Sequence, residues 1–232
     1  MADHDTATDR AAGFFGRRKG HRLRDEQAVR LDRLLPALRI DMARPFGDPK
    51  TLFPENVEGV HLEIGFGGGE HLVDAASRHP GIGFIGCEPF VNGVAKLVAE
   101  IEKRGLTNIR VHDANAADLL PLLPPASIER VYLLYPDPWP KRRQRKRRFV
   151  SPAAVKALAR VLKPGGTFRF ATDIDDYAGW TLARMAASPD FVWTAERADD
   201  WRAPYANWPG TRYEAKAKRE GRTPSYLEFR RV

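Results

Sequence analysis

Residues 60–69 read Val-His-Leu-Glu-Ile-Gly-Phe-Gly-Gly-Gly, and this stretch decides the fold. The first five residues, 60–64, predict a strand. Glycines follow at positions 65 and 67–69, where they let the backbone turn sharply and approach a ligand closely. A helix is predicted directly afterwards, over 70–78. Taken alone, the glycine pattern is compatible with dinucleotide binding and equally with a tight structural turn.

Strands and helices alternate on both sides of this loop. Further strands are predicted at 82–87, 109–112, 130–135, 167–172, 191–195 and 225–231. Helices are predicted at 25–35, 90–103, from Ser151-Pro152 to the turn at 163–166, and 176–187. The alternation predicts an α/β fold with a doubly wound, mostly parallel sheet, an antiparallel C-terminal strand and an N-terminal helical extension.

Composition limits the class of protein. The chain has 232 residues, 43% of them hydrophobic, which is enough for one sizeable core. We expect a flexible basic tail over 1–20 and a single domain over 21–232. Cys87 is the only cysteine, and the sequence has neither an apolar signal core nor a membrane-length apolar run, so we expect a cytoplasmic protein. Six scattered histidines and one cysteine predict no metal site.

Acidic residues follow three successive predicted strands. Glu63 precedes the glycine loop, Glu88 ends the second strand, and Asp113 ends the third. The dinucleotide-binding fingerprint G-x-G-x-x-G would require a third glycine at position 70, where this chain has Glu70. Its carboxylate would repel a pyrophosphate, so a nicotinamide dinucleotide is disfavoured. The pattern resembles the S-adenosylmethionine-dependent methyltransferases of the Rossmann-like class. The alternative for each acid singly is a strand-end cap or a surface carboxylate. The candidate cofactor-binding residues are Glu63, Gly65, Gly67, Gly69, Glu88, Asp113, Ala114, Asn115 and Asp137.

The segment 135–149 combines an acid, an aromatic ring and a basic run. It reads Tyr-Pro-Asp-Pro-Trp-Pro-Lys over 135–141, and seven of the 38 basic residues lie within 141–148. The rest of the chain is therefore close to neutral, which favours a local polyanion site. The alternatives are a solvated loop or an import signal for the run, a turn cap for Asp137 and core packing for Trp139. A looser basic cluster comprises Arg17, Arg18, Lys19, Arg22 and Arg24.

The segment 135–141, with its basic run, resembles one family closely, the bacterial tRNA (guanine-N7)-methyltransferases. The resemblance continues at 171–173, Ala-Thr-Asp, and at 211–214, Thr-Arg-Tyr-Glu, where the family usually has Thr-Lys-Phe-Glu. Arginine in place of lysine is not a neutral exchange at a close contact. The resemblance covers roughly residues 14–232.

The resemblance implies methylation of guanine N7 at position 46 of the tRNA variable loop, with conversion of S-adenosylmethionine to S-adenosylhomocysteine. It assigns cofactor contacts to Glu63, Glu88 and Asp113, and both cofactor binding and catalysis to Asp137. Substrate contacts fall on Lys141, Asp173, Thr211, Arg212, Tyr213 and Glu214. RNA contacts fall on Arg143, Gln144, Arg145, Lys146, Arg147 and Arg148. The family contains both monomers and homodimers.

The chemistry is compatible with these residues. Guanine N7 is an unprotonated acceptor at neutral pH, so the main task is in-line placement behind the S–CH3 bond. We expect Asp137 to accept hydrogen bonds from the guanine N1–H and N2–H2 edge, together with Asp173, and Trp139 to stack on a base. Three alternatives stay open: another methyl acceptor in RNA or protein, a non-catalytic RNA-binding protein, and a dehydrogenase.

Overall fold

The computed structural model describes residue 16, residues 18–43 and residues 47–232. Seven strands form one sheet in the order β3-β2-β1-β4-β5-β7-β6. The strands are Gly59–Ile64 (β1), Ile82–Cys87 (β2), Ile109–His112 (β3), Ile128–Leu134 (β4), Leu162–Thr172 (β5), Phe191–Trp193 (β6) and Ser225–Arg231 (β7). Strands β1 to β5 are parallel, and β7 runs antiparallel to both β5 and β6. The predicted sheet is therefore confirmed.

Helices cover both faces of the sheet. They are Asp25–Leu38 (α1), Glu70–Arg78 (α2), Val91–Arg104 (α3), Ala116–Leu119 (α4), Pro152–Val161 (α5), Asp175–Ala186 (α6), Asp199–Arg202 (α7) and Arg212–Arg219 (α8). Helices α1 to α3 bury leucines on the face that carries Phe84 of β2. Helices α4 to α6 pack on the face that carries Ile85, the next residue of the same strand. Successive residues of one strand thus point to opposite faces of the sheet and pack into two different hydrophobic cores.

The position of the site follows from the strand order. Strand β1 lies between β2 and β4, so the chain leaves β1 towards one sheet edge and later returns to build the other side. In open α/β sheets, ligands bind in the crevice at this switch point, outside the carboxyl ends of the strands. The glycine loop follows β1 and the turn at 135–141 follows β4, so both lie at the crevice.

The start of β5 differs from the prediction. The residues 163–166, Lys-Pro-Gly-Gly, were expected to end a helix before the strand, but α5 ends at Val161 and β5 already begins at Leu162. Pairing with β4 shifts register between Leu162 and Thr167, and Gly165 adopts φ +79°. This segment is therefore an irregular stretch of strand, which glycine permits because it has no Cβ.

Several helices exceed what the sequence pattern indicated. Helix α1 continues three residues beyond the predicted end and includes Pro36 in its last turn. Packing compensates for the lost hydrogen bond, because Leu35 is buried and Arg30 bonds Glu102 of α3 (2.8 Å). Helices α4, α7 and α8 were not predicted. The part of the chain that the structure describes contains no helix long and apolar enough to span a membrane.

The predicted basic tail, 1–20, lies largely outside the described residues, and so does Arg17 of the second basic cluster. The described part of that segment contacts α3. The backbone N–H of Val91 donates to the Arg18 carbonyl (3.0 Å), and the Gly20 N–H donates to the Asn92 side chain (2.8 Å). The division into tail and domain stays a prediction.

Candidate functional site

The glycine loop forms one wall of the site. Gly65, Gly67 and Gly69 have φ values of +73°, +59° and +81°, a region that side chains disfavour. A Cβ on Gly93 would lie 2.1 Å from the Gly67 carbonyl oxygen, so the loop packs directly against the start of α3. The turn therefore requires glycine for its positive φ values, and the close approach of α3 requires glycine at position 93.

Glu88 fixes the loop from the end of β2. Its carboxylate accepts hydrogen bonds from the backbone N–H groups of Gly67 (2.7 Å) and Phe90 (2.9 Å). The carboxyl group is buried, and burial raises its pKa above the usual range despite these two bonds. A glutamate held in this way presents its remaining acceptor capacity to the adjoining cavity.

A cavity of about 340 Å³ lies over the ends of β1, β2 and β4. That volume suits a small ligand. Glu88, Asn115, Asp137 and Arg147 supply charged and amide side chains, and Gly65 and Gly67 supply exposed backbone. Aromatic rings close the remainder: Phe90, Tyr135, Trp139, Phe149 and Tyr213. Of these, the sequence analysis assigned only Trp139 and Tyr213 to the site.

The turn after β4 carries Asp137 at the rim of the cavity. Two non-glycine residues that flank it have positive φ, +51° at Tyr135 and +41° at Trp139. Such conformations cost about 1–3 kcal/mol each and persist only where the surroundings enforce them. Solvent reaches Asp137, yet the neighbouring protein atoms partly desolvate its carboxyl group and raise its pKa.

The basic run begins at this rim. Residues Arg142–Arg147 form a 3₁₀ helix. Lys141, Arg142, Arg143 and Lys146 are exposed, and no described acidic residue forms an ion pair with any of the four. Gln144 is half-buried in the same helix. The Arg147 guanidinium lies 4.9 Å from the centre of the Trp139 ring and lines the cavity.

Arg148 differs from the rest of the run and corrects the sequence-based assignment to RNA. It is 1% exposed and lies against the rings of Tyr177 and Trp180, so phosphate cannot reach it. Its guanidinium bonds the Asp176 carboxylate on α6 and the Pro138 carbonyl (2.8 Å). Arg145 bonds the same carboxylate (2.7 Å). The periodicity of the sequence could not single out one inward-facing arginine from seven cations.

Helix α8 brings residues 211–214 over the glycine loop. The Thr211 hydroxyl caps the helix by accepting from the Glu214 N–H (3.1 Å). Arg212 bonds Glu70 (2.8 Å), and the Tyr213 ring lies 3.2 Å from where a Gly67 Cβ would stand. Glu214 is buried, accepting from Tyr226 (2.7 Å), Trp208 and Lys218. Thr211 and Glu214 therefore hold the helix, whereas Tyr213 lines the cavity and Arg212 lies over the glycine loop beside it.

Three predicted acids are bonded to partners within the protein and do not line the cavity. Glu63 is buried and bonds His71 of α2 (2.6 Å). The remaining pairs are Asp113 with Arg39 (2.7 and 2.8 Å) and Asp173 with Arg222 (2.5 Å). Gly69 and Ala114 likewise lie beside the cavity lining and not in it. The strand ends were predicted correctly, but Arg39 and Arg222 come from distant segments and His71 from the helix that follows the glycine loop.

The geometry fits a nucleoside-type methyl donor. An added Cβ at Gly65 would meet open space, so the cavity extends to the bare backbone there. Glu88 offers a carboxylate for hydroxyl groups, and Asn115, which caps α4 through its side-chain oxygen, stands near the end of β3. Among the described residues, no group of three or more His, Cys, Asp or Glu side chains could hold a metal ion.

Comparison with known proteins agrees with this geometry. A family profile described as "Putative methyltransferase" matches residues 58–226. The chain is 56% identical over 231 residues to a tRNA (guanine-N(7)-)-methyltransferase of Rhodopseudomonas palustris (strain BisA53), covering 99% of this chain and 92% of that protein. It is 57% identical over 220 residues to the protein of that name in Rhizobium meliloti (strain 1021), covering 94% and 95%.

Solved structures show the same fold at low identity. A precorrin-6y C5,15-methyltransferase from Geobacter metallireducens GS-15 gives a TM-score of 0.51 at 14% identity, covering 92% of this chain and 94% of that one. An antibiotic-related methyltransferase gives 0.50 at 16% identity, covering 83% and 98%. The solved structures thus show a Rossmann-like fold, and together with the matched profile they define a Rossmann-like methyltransferase, for which family and fold imply S-adenosylmethionine as the donor. By its relatives and its matched profile, the chain belongs to the tRNA (guanine-N7)-methyltransferase family.

Proposed function

We propose that this protein methylates N7 of guanine in tRNA, at position 46 of the variable loop. One observation carries the proposal: Asp137 and Trp139 stand at the rim of the cavity, and an exposed cationic helix continues directly from that rim. A donor site and a polyanion-binding surface are therefore adjacent. Guanine itself and position 46 are supported by the family's motifs.

The cavity residues would hold S-adenosylmethionine, which supplies an electrophilic methyl group when bound. Glu88 would accept hydrogen bonds from ribose hydroxyls, and Asn115 would face the adenine end. Gly65 and Gly67 allow close approach of the backbone, and Tyr213 closes the cavity above Gly67. Glu63 and Asp113 would act indirectly, because each carboxylate is bonded to another side chain.

Asp137 would orient the acceptor base. Guanine N7 carries no proton at neutral pH, so no general base is needed before attack and orientation dominates the rate. The ionised Asp137 carboxylate would accept from guanine N1–H and N2–H2 and stabilise the positive charge that the imidazole part gains. Asp173, bonded to Arg222 and only 14% exposed at its side chain, would assist from the end of β5.

The exposed cations would hold the tRNA backbone. Lys141 joins the rim to Arg142, Arg143 and Lys146, all of which face solvent. Trp139 lies beneath Arg147, and base stacking on this ring would add roughly 1–3 kcal/mol. Arg212 and Tyr213 would contact the substrate from the opposite wall.

The test is methyl transfer from labelled S-adenosylmethionine to unmodified tRNA, followed by identification of the product nucleoside and its position. We expect 7-methylguanosine at position 46. The variant Asp137→Asn should lower kcat about 100-fold or more, because it replaces a charged acceptor aimed at developing positive charge. Asp199→Asn, an exposed change on α7, is the matched control and should keep wild-type kcat.

Two results would contradict the proposal. Methylation at another atom or nucleotide would exclude the guanine-N7 assignment while leaving a methyltransferase. An Asp137→Asn variant with wild-type kcat would remove Asp137 from the mechanism and leave the assigned reaction intact.

A further inference from the structure

Arg148 is a buried cation that the mechanism above does not use. Its side chain lies between the rings of Tyr177 (4.7 Å) and Trp180 (5.1 Å) on α6. Removing a guanidinium from water is costly unless its hydrogen-bond donors are satisfied. Here they bond the Asp176 carboxylate, the Asp176 carbonyl (3.3 Å) and the Pro138 carbonyl (2.8 Å).

The bond to Pro138 links this cation to the candidate catalytic turn. Pro138 stands between Asp137 and Trp139, and Trp139 has the unfavourable φ of +41°. A turn that contains such a residue keeps its shape only when its surroundings over-determine it. Arg148 lies ten residues along the chain and fixes the one carbonyl at the centre of the turn.

Asp176 extends the same connection to the basic helix. It accepts from Arg148 and from Arg145 and lies in the first turn of α6, which packs on the sheet. The Trp180 indole N–H also donates to the Val150 carbonyl (2.7 Å), so the chain after Arg148 is fixed to α6 as well. The turn at 137–139 and the helix at 142–147 are therefore fixed to one rigid element.

We propose that Arg148 is a positioning residue that holds Asp137 and Trp139 in the geometry required for methyl transfer. This inference rests on the proposed function of the same site. Arg148 touches neither substrate, so its loss should lower kcat at saturating substrates by a larger factor than it raises the KM for tRNA, and leave the cofactor Kd nearly unchanged. A displacement of about 1 Å at a reacting group can reduce a rate about 100-fold.

The test is Arg148→Lys, which keeps the charge but loses the planar fork that bonds two partners at once. We expect kcat to fall about tenfold or more, with the Kd for S-adenosylhomocysteine within about threefold of wild type and a smaller factor of change in the KM for tRNA than in kcat. The matched control is Arg160→Lys. Arg160 also bonds two backbone carbonyls, of Leu120 (2.5 Å) and Leu123 (2.7 Å), but it lies next to the start of β5, at the amino ends of the parallel strands, whereas the cavity lies at their carboxyl ends. It should lose stability and keep kcat.

A second variant covers the case in which Arg148→Lys does not fold. Asp176→Asn leaves Arg148 and its bond to Pro138 in place but weakens the anchor on α6, and it should lower kcat about threefold to tenfold. Wild-type kcat in whichever of these variants folds, or an equal loss of kcat in Arg160→Lys, would overturn the positioning role. Wild-type protein inactive on tRNA would instead overturn the proposed function.

Discussion

Asp176 shows how one residue serves two parts of the site. Hydrogen bonding and charge from Arg148, with further charge from Arg145, lower the pKa of its carboxyl group. A lowered carboxyl pKa contributes stability that is fully present above the pKa of the unfolded chain, about 3.9, and is lost as the pH falls through the lower folded value. The anchor of the basic helix is therefore sensitive to acid.

The comparison of wild type with Asp176→Asn tests this dependence. We expect the difference in Tm between the two proteins to be constant from about pH 7 to pH 5 and to shrink below about pH 4, because protonation removes the same charge. Asp32→Asn, on the exposed side of α1, should differ from wild type by an amount that does not change with pH. A Tm difference for Asp176→Asn that persists at the lowest pH would contradict the ionic role.

For single residues, the sequence indicated which side chains could take part in the site, but it did not show which side chains bond to one another. Glu88 and Asp137 both line the cavity, because the carboxyl ends of parallel strands meet at the same end of the sheet. Arg39, His71 and Arg222 were not foreseen as partners of the other acids, since each pair joins segments brought together only by folding. Arg148 looked like its neighbours because a run of cations carries no information about which one faces inward.

The 3₁₀ helix at Arg142–Arg147 is the element on which tRNA affinity should depend. Exposed cations that neutralise phosphates release counterions, and the slope of log K against log salt reports their number. Arg143 and Lys146 are the residues to substitute in a measurement of this slope, because Arg145 is bonded to Asp176 and Arg147 lies against Trp139.

The double variant Arg143→Gln/Lys146→Gln should weaken tRNA binding and reduce the salt slope by roughly 0.7–0.9 for each phosphate that is no longer neutralised. Lys156→Gln/Arg197→Gln removes the same charge from exposed positions outside the 3₁₀ helix and is the matched control. Binding measured between 50 and 200 mM salt, about the range where such slopes are steep, separates the two. Equal slopes in both variants would mean that the helix does not contact RNA.

Helix α8 illustrates why one element escaped prediction. Its sequence, Arg-Tyr-Glu-Ala-Lys-Ala-Lys-Arg, has no apolar stripe, and buries only Glu214 and Ala217. A search for hydrophobic periodicity therefore misses it. The available signal was Thr211 followed three residues later by Glu214, which is typical of a helix N-terminus. That pattern was interpreted only as a substrate motif, although both residues support the helix.

At the scale of the whole molecule, the cavity joins elements that are distant in sequence, so ligand binding there should affect the stability of the whole fold. The β-α alternation predicted the parallel sheet, but local patterns could not show that β7 inserts between β5 and β6, since strand pairing is long-range. The cavity is built from the ends of β1, β2 and β4 and is closed by Tyr213 of α8. A ligand there contacts elements distant in sequence and should stabilise all of them together.

S-adenosylhomocysteine should therefore raise the Tm of the protein without RNA. Ligand at 100 times its Kd adds about 2.7 kcal/mol, and a domain of this size gains roughly 2–4 °C per kcal/mol, which predicts a rise of roughly 5–11 °C. In Glu88→Gln the rise should be smaller at the same concentration, because the amide replaces the carboxylate that faces the cavity. Glu58→Gln, outside the cavity, should respond as wild type does. A full rise in Glu88→Gln would show that the ligand binds without Glu88, and the position of the ribose would then have to be sought elsewhere along the crevice.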